Sequence, residues 1–86
     1  MAARQADIAA LWRSLHHASS ILAGLASTEE DIAATFTKLA AEDDPDLAMK
    51  HQRLAAEAVA AARSARTRAC ALRKLAETSM AIAYPR

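Results

Sequence analysis

The chain has 86 residues and a mass of 9.2 kDa, which limits it to one small domain. Alanine fills 25 positions and leucine nine, whereas there is only one glycine and two prolines. Alanine and leucine favour helices, and the strand-favouring residues Val, Tyr, Trp and Phe occur once each. The composition therefore predicts an all-α protein with a single helical domain over residues 1–86, and it excludes β-rich and α/β folds.

The net charge of +1 conceals two oppositely charged halves. Residues 1–46 contain three basic and eight acidic residues, whereas residues 47–86 contain eight basic and two acidic residues. Opposite halves favour folding the chain back on itself or onto a second copy. Because a general nucleic-acid binder usually carries an excess of positive charge, the distribution indicates protein partners first.

Residue types that carry chemistry are few. The single cysteine, Cys70, excludes an internal disulfide, and His16 and His17 point about 100° apart on a helix, too far to hold one ion. The N-terminal segment contains Asp7 and lacks the continuous apolar run of a secretion signal. No apolar run approaches the roughly 20 residues that cross a bilayer. We therefore expect a cytoplasmic protein that is not an enzyme, has no metal or cofactor and does not contact membranes.

The first half of the chain predicts one long helix over residues 4 to about 42. Its apolar residues follow two heptad rows in a single phase. Gly24, followed by a capping box from Ser27 to Glu30, favours a kink or break near residues 24–28 instead. The unbroken phase favours the single helix, and two shorter helices are the alternative. The two rows are Ile8, Leu15, Leu22 and Phe36, and Leu11, Ala18, Leu25, Ile32 and Leu39.

A turn over residues 43–45 separates this helix from a second one over about residues 45–83. Asp44 suits the N-cap, Pro45 suits the first helical position, and Asp46 complements the helix dipole. The second helix also has two heptad rows, which are Leu47, Leu54, Ala61, Leu75 and Ile82, and Ala58, Ala65 and Leu72.

Two matched helices and one turn predict an antiparallel hairpin in which residue i lies beside roughly residue 90 − i. Such a hairpin, about 57 Å long, is too thin to bury the roughly 63% of unfolded surface that a compact protein of this mass buries. We therefore predict a homodimer that forms a four-helix bundle. The residues expected at its interface are Leu11, Trp12, Leu15, Leu22, Leu25, Ile32, Phe36, Leu54, Leu72 and Leu75.

Two charged residues, Glu29 and Arg68, interrupt the apolar rows at heptad core positions. Their opposite charges suggest a shared polar layer, but they lie too far apart along one hairpin to meet. The hypothesis is that they meet across the dimer or partner interface and set its register.

The sequence favours a small, non-enzymatic protein–protein interaction module, such as an adaptor, an inhibitor or an assembly subunit, that associates with itself and with another protein. The alternative is a dimer that binds nucleic acid through the basic face of the second helix. An alanine- and arginine-rich composition is also typical of GC-rich bacterial and phage genomes. The basic residues in question are Arg63, Arg66, Arg73 and Lys74.

Overall fold

The protein consists of two long antiparallel helices. The computed structural model describes residues 2–42 and 44–84, in which helix α1 spans Ala2–Glu42 and helix α2 spans Pro45–Ala83. These residues contain no β-strand, and the Cα trace measures 66 × 15 × 15 Å. The predicted all-α helical hairpin is confirmed.

Helix α1 continues without interruption through residues 24–28, where a break was the alternative. A glycine within a helix is less favourable than alanine by only about 1 kcal/mol. Ala26, two residues later, is completely buried against α2, so packing holds this segment in the helix. The hydroxyl of Thr28 donates to the carbonyl oxygen of Gly24 at 3.2 Å, and the capping box does not start a new helix.

Helix α2 begins with the cap that the sequence predicts. The side-chain Oδ1 of Asp44 accepts hydrogen bonds from the backbone N–H groups of Asp46 and Leu47, both at 3.1 Å. Pro45 occupies the first turn, where its missing N–H leaves no hydrogen bond unmade. The predicted turn also includes Asp43, which lies outside the described residues.

Two hydrogen bonds between the helices define the register of the hairpin. Ser19 Oγ donates to the carbonyl oxygen of Ala69 at 2.8 Å, and Gln5 Nε2 donates to the carbonyl oxygen of Ala83 at 3.4 Å. The residue numbers in each pair add up to 88, close to the sum of about 90 expected from the sequence. Residue i of α1 therefore lies beside residue 88 − i of α2.

The buried part of the contact between the helices is made of small residues, and we call this part the seam. None of the larger apolar side chains in the described part of the chain is fully buried. Because an alanine side chain is a single methyl group, the two helices approach closely, but each buried residue removes little apolar surface from water. The seam residues are Ser19, Ala26, Ala33 and Ala40 of α1, and Ala55, Ala58, Ala62, Ala65, Ala69 and Ala76 of α2.

Candidate interaction surface

Eight large aliphatic side chains, which share one heptad position on each helix, form a continuous surface that we call the apolar face. Those that are classed as exposed have relative accessibilities between 38% and 72%, and Leu54 is partly buried. On both helices these residues recur every seven positions, with Ala18, Ala61 and Arg68 completing the rows. The large members are Leu11, Leu25, Ile32 and Leu39 of α1, and Leu47, Leu54, Leu75 and Ile82 of α2.

The two rows lie on the same side of the hairpin. Each row residue comes immediately before a residue of the contact between the helices, as Leu25 precedes Ala26 and Ala61 precedes Ala62. In an antiparallel pair of right-handed helices, residues that precede the contact by the same number of positions lie on the same side of the pair. The rows therefore form one surface along the hairpin, running from Leu11 and Ile82 at the open end to Leu39 and Leu47 near the turn.

The residues predicted at the dimer interface divide between these two surfaces. Trp12, Leu15, Leu22, Phe36 and Leu72 are partly buried between the two helices. The other five belong to the apolar face, where Leu11, Leu25, Ile32 and Leu75 are exposed and Leu54 is partly buried.

Sequence reasoning named Ala58 and Ala65 of the seam, but it missed the other alanine row of α2 that contributes to the seam. Its signal is present, because α2 carries alanine at every seventh position over a long stretch. Judging heptad rows by leucine and isoleucine gives these alanines no weight, although four of the six are buried. The row is Ala48, Ala55, Ala62, Ala69, Ala76 and Ala83.

Two pairs of aromatic rings flank the seam. The rings of Trp12 and His16 meet edge to face with centroids 5.0 Å apart, one turn apart on α1. The rings of Phe36 and His51 stack between the helices with centroids 5.6 Å apart. Two of the three histidines therefore lie against aromatic rings, at opposite ends of the hairpin.

Glu29 and Arg68 lie at different places on the hairpin. Glu29 is partly buried at the contact between the helices, on the α1 row that borders the apolar face, whereas Arg68 is exposed within the apolar face itself. By the observed register Arg68 lies beside Ser20, so the two charges are about nine residues, or about 13 Å, apart along the hairpin. Neither side chain has a hydrogen-bonding or ionic partner among the described residues.

The four basic residues of α2 that the sequence suggests for nucleic-acid binding, Arg63, Arg66, Arg73 and Lys74, are all exposed and lie outside the apolar face. Arg66 forms an ion pair with Glu30 of α1 on the opposite side of the hairpin. Both side chains of this pair are about half exposed, and such pairs stabilise a fold by only about 0–1 kcal/mol. The side chains of Arg63, Arg73 and Lys74 have no partner in the described part of the chain.

Chemically reactive groups are scattered over the hairpin. Residues 2–42 and 44–84 contain no cluster of three His, Cys, Asp or Glu side chains that could hold a metal ion, and Cys70 is a free, exposed thiol. Neither α1 nor α2 combines the length and the apolar composition that a membrane span requires. Comparison of the chain with protein-family models, curated proteins and solved structures gives no match.

Proposed function

We propose that the protein is a non-enzymatic interaction module that pairs with a second copy through the apolar face and forms a four-helix bundle. The observation that carries this proposal is the distribution of side-chain size. The hairpin buries alanines and leaves five of its nine leucines, together with Ile32 and Ile82, exposed on one continuous surface. Fully burying one such side chain contributes about 1.5–3 kcal/mol, so covering this surface has a large driving force.

The exposed area supports a second copy as the covering partner. The hairpin exposes 6330 Å², whereas a compact protein of its mass exposes about 4,900 Å². The excess is about 1,400 Å², so a symmetric dimer that removed it from both copies would bury about 2,800 Å². Obligate homodimers bury about 2,000–5,000 Å².

The outer surface of such a bundle remains free for another protein. It carries most of the charged side chains, including the Glu30–Arg66 pair, and it varies in charge along its length. An adaptor, an inhibitor or an assembly subunit would present this surface to its partner, with the paired apolar faces forming the core.

Light scattering at micromolar concentration tests the self-association. The expected molar mass is that of two chains, and Ile32→Asp should shift it to one chain, because each copy would then bury an unpaired carboxylate. A buried unpaired charge costs about 3–5 kcal/mol, so dimerisation should weaken by at least about 100-fold. Ala34→Asp, which places the same carboxylate at an exposed position on the outer side of α1, is the matched control and should remain a dimer. A monomeric wild-type protein would contradict the proposal.

A second candidate function is nucleic-acid binding by the basic residues of α2. It is favoured by the exposed side chains of Arg63, Arg73 and Lys74, which have no partner among residues 2–42 and 44–84 and stay accessible when the apolar face is covered. Binding of this kind weakens steeply with salt, and each lost phosphate contact reduces the slope by about one unit. In a gel shift, nanomolar and sequence-selective binding at physiological salt would place this function first; we expect none.

A further inference from the structure

We propose that the second copy docks with its turn at the opposite end of the bundle, and that Glu29 of each copy pairs with Arg68 of the other. The inference rests on the self-association proposed above and specifies its geometry. Arg68 lies within the apolar face, and Glu29 lies on the α1 row that borders it. The two side chains carry opposite charges, and neither has a partner in the described hairpin.

Two symmetric arrangements bring the apolar faces of two hairpins together. If the two-fold axis runs parallel to the helices, both turns lie at the same end. Each residue then lies at the same height along the bundle in both copies. Glu29 of one copy is then still about 13 Å along the bundle from Arg68 of the other. If the axis runs across the helices within the interface, the turns lie at opposite ends, and residues at different levels can meet.

In the arrangement with opposite turns, Glu29 lies at the same height along the bundle as the second copy's Arg68 when the axis passes halfway between Glu29 and Arg68 of one copy. That position is level with Leu25 on α1 and with Arg63 on α2. It is within about three residues of the midpoints of both helices, Leu22 and Ser64. The axis that pairs the charges is therefore also the one that overlaps the two apolar faces almost completely.

Surface electrostatics oppose this arrangement only weakly. It places each helix beside its own counterpart, and α2 contains seven basic and three acidic residues. Like charges between exposed side chains change association by a few-fold, whereas an unpaired charge buried in the core weakens it by about 100-fold or more. The rows that would touch between copies are also largely uncharged along their middle; they include Ser14, Ile21, Thr28 and Thr35 of α1, and Ser64, Ala71 and Thr78 of α2.

Mixing two charge-reversal variants tests the pairing. Glu29→Arg and Arg68→Glu each place like charges together twice in a homodimer, so each should weaken self-association by about 100-fold or more. In an equimolar mixture both pairs of the heterodimer carry opposite charges again, and light scattering should show the mass of two chains. The matched control is Glu30→Arg with Arg66→Glu, a pair that lies within one hairpin; each of these should dimerise alone and mixing should change nothing.

A distance measurement tests the orientation without altering the core. Ala41 is exposed near the turn, and the native thiol is removed by Cys70→Ser before a spin label is placed on Ala41→Cys. Opposite turns separate the two labels by about 50 Å, whereas turns at the same end keep them within the width of the bundle, under about 30 Å. A dimer with the short distance, or a mixture of variants that stays monomeric, would overturn this inference alone; a monomeric wild-type protein would overturn the proposed function.

Discussion

The seam and the apolar face run side by side along the hairpin and have opposite properties. Ala26 is completely buried in the seam, whereas Leu25, its neighbour in sequence, is about half exposed on the apolar face. A buried alanine contributes little hydrophobic free energy, but it allows the two helix backbones to lie close together. The small residues therefore fix the geometry of the hairpin, and the large residues hold most of the free energy that association can release.

The largest effect is expected when a large side chain replaces an alanine of the seam. Ala62 is almost fully buried against Ala26, so Ala62→Leu must push the helices apart or force a strained rotamer. Overpacking of this kind lowers the free energy of unfolding by typically about 1–3 kcal/mol. We expect about 3 kcal/mol, because Ala62 packs directly against Ala26 across the seam. Chemical denaturation at a fixed protein concentration measures the loss.

The matched control for the seam is Ala60→Leu, which adds the same side chain at an exposed position two residues earlier. It should change the free energy of unfolding by less than about 0.5 kcal/mol. Equal effects of the two substitutions would show that the alanine seam does not determine the packing of the hairpin.

A smaller effect is expected where a large side chain lies partly within the hairpin. Trp12 is partly buried and its ring meets His16 at the open end. Truncating a fully buried tryptophan to alanine lowers the free energy of unfolding by about 3–5 kcal/mol. Because Trp12 is only partly buried, we expect Trp12→Ala to lower it by about 2 kcal/mol. A loss below about 0.5 kcal/mol, measured by thermal unfolding, would place the indole on the surface.

The sequence predicts the hairpin well because its signals are local. Asp44 and Pro45 mark the start of α2 by their own chemistry, and the absence of proline from α1 lets that helix continue past Gly24. The approximate register follows from matching two helices of similar length around one turn. The helix boundaries depend on neighbours in sequence, and the approximate register follows from those boundaries, so sequence reasoning finds both.

The division of the apolar rows between two surfaces is harder to predict. Leu25 and Ala26 are adjacent, and both belong to rows with a seven-residue repeat. A preference for large apolar residues assigns Leu25 to the contact between the helices, but the close approach of the two backbones favours Ala26. The candidate site follows from this choice, because the surface left exposed is the one that the larger residues occupy.

The finest test of the seam concerns its one polar residue. Ser19 is almost fully buried, and its hydroxyl donates to the carbonyl oxygen of Ala69 across the seam at 2.8 Å. Ser19→Ala removes this bond and should lower the free energy of unfolding by about 1 kcal/mol relative to Ser20→Ala, the usual net value of one such bond. Ser20 is exposed, so its substitution makes the same change in helix propensity without touching the seam. Parallel urea titrations give the difference, and indistinguishable midpoints would show that the register depends on the alanines alone.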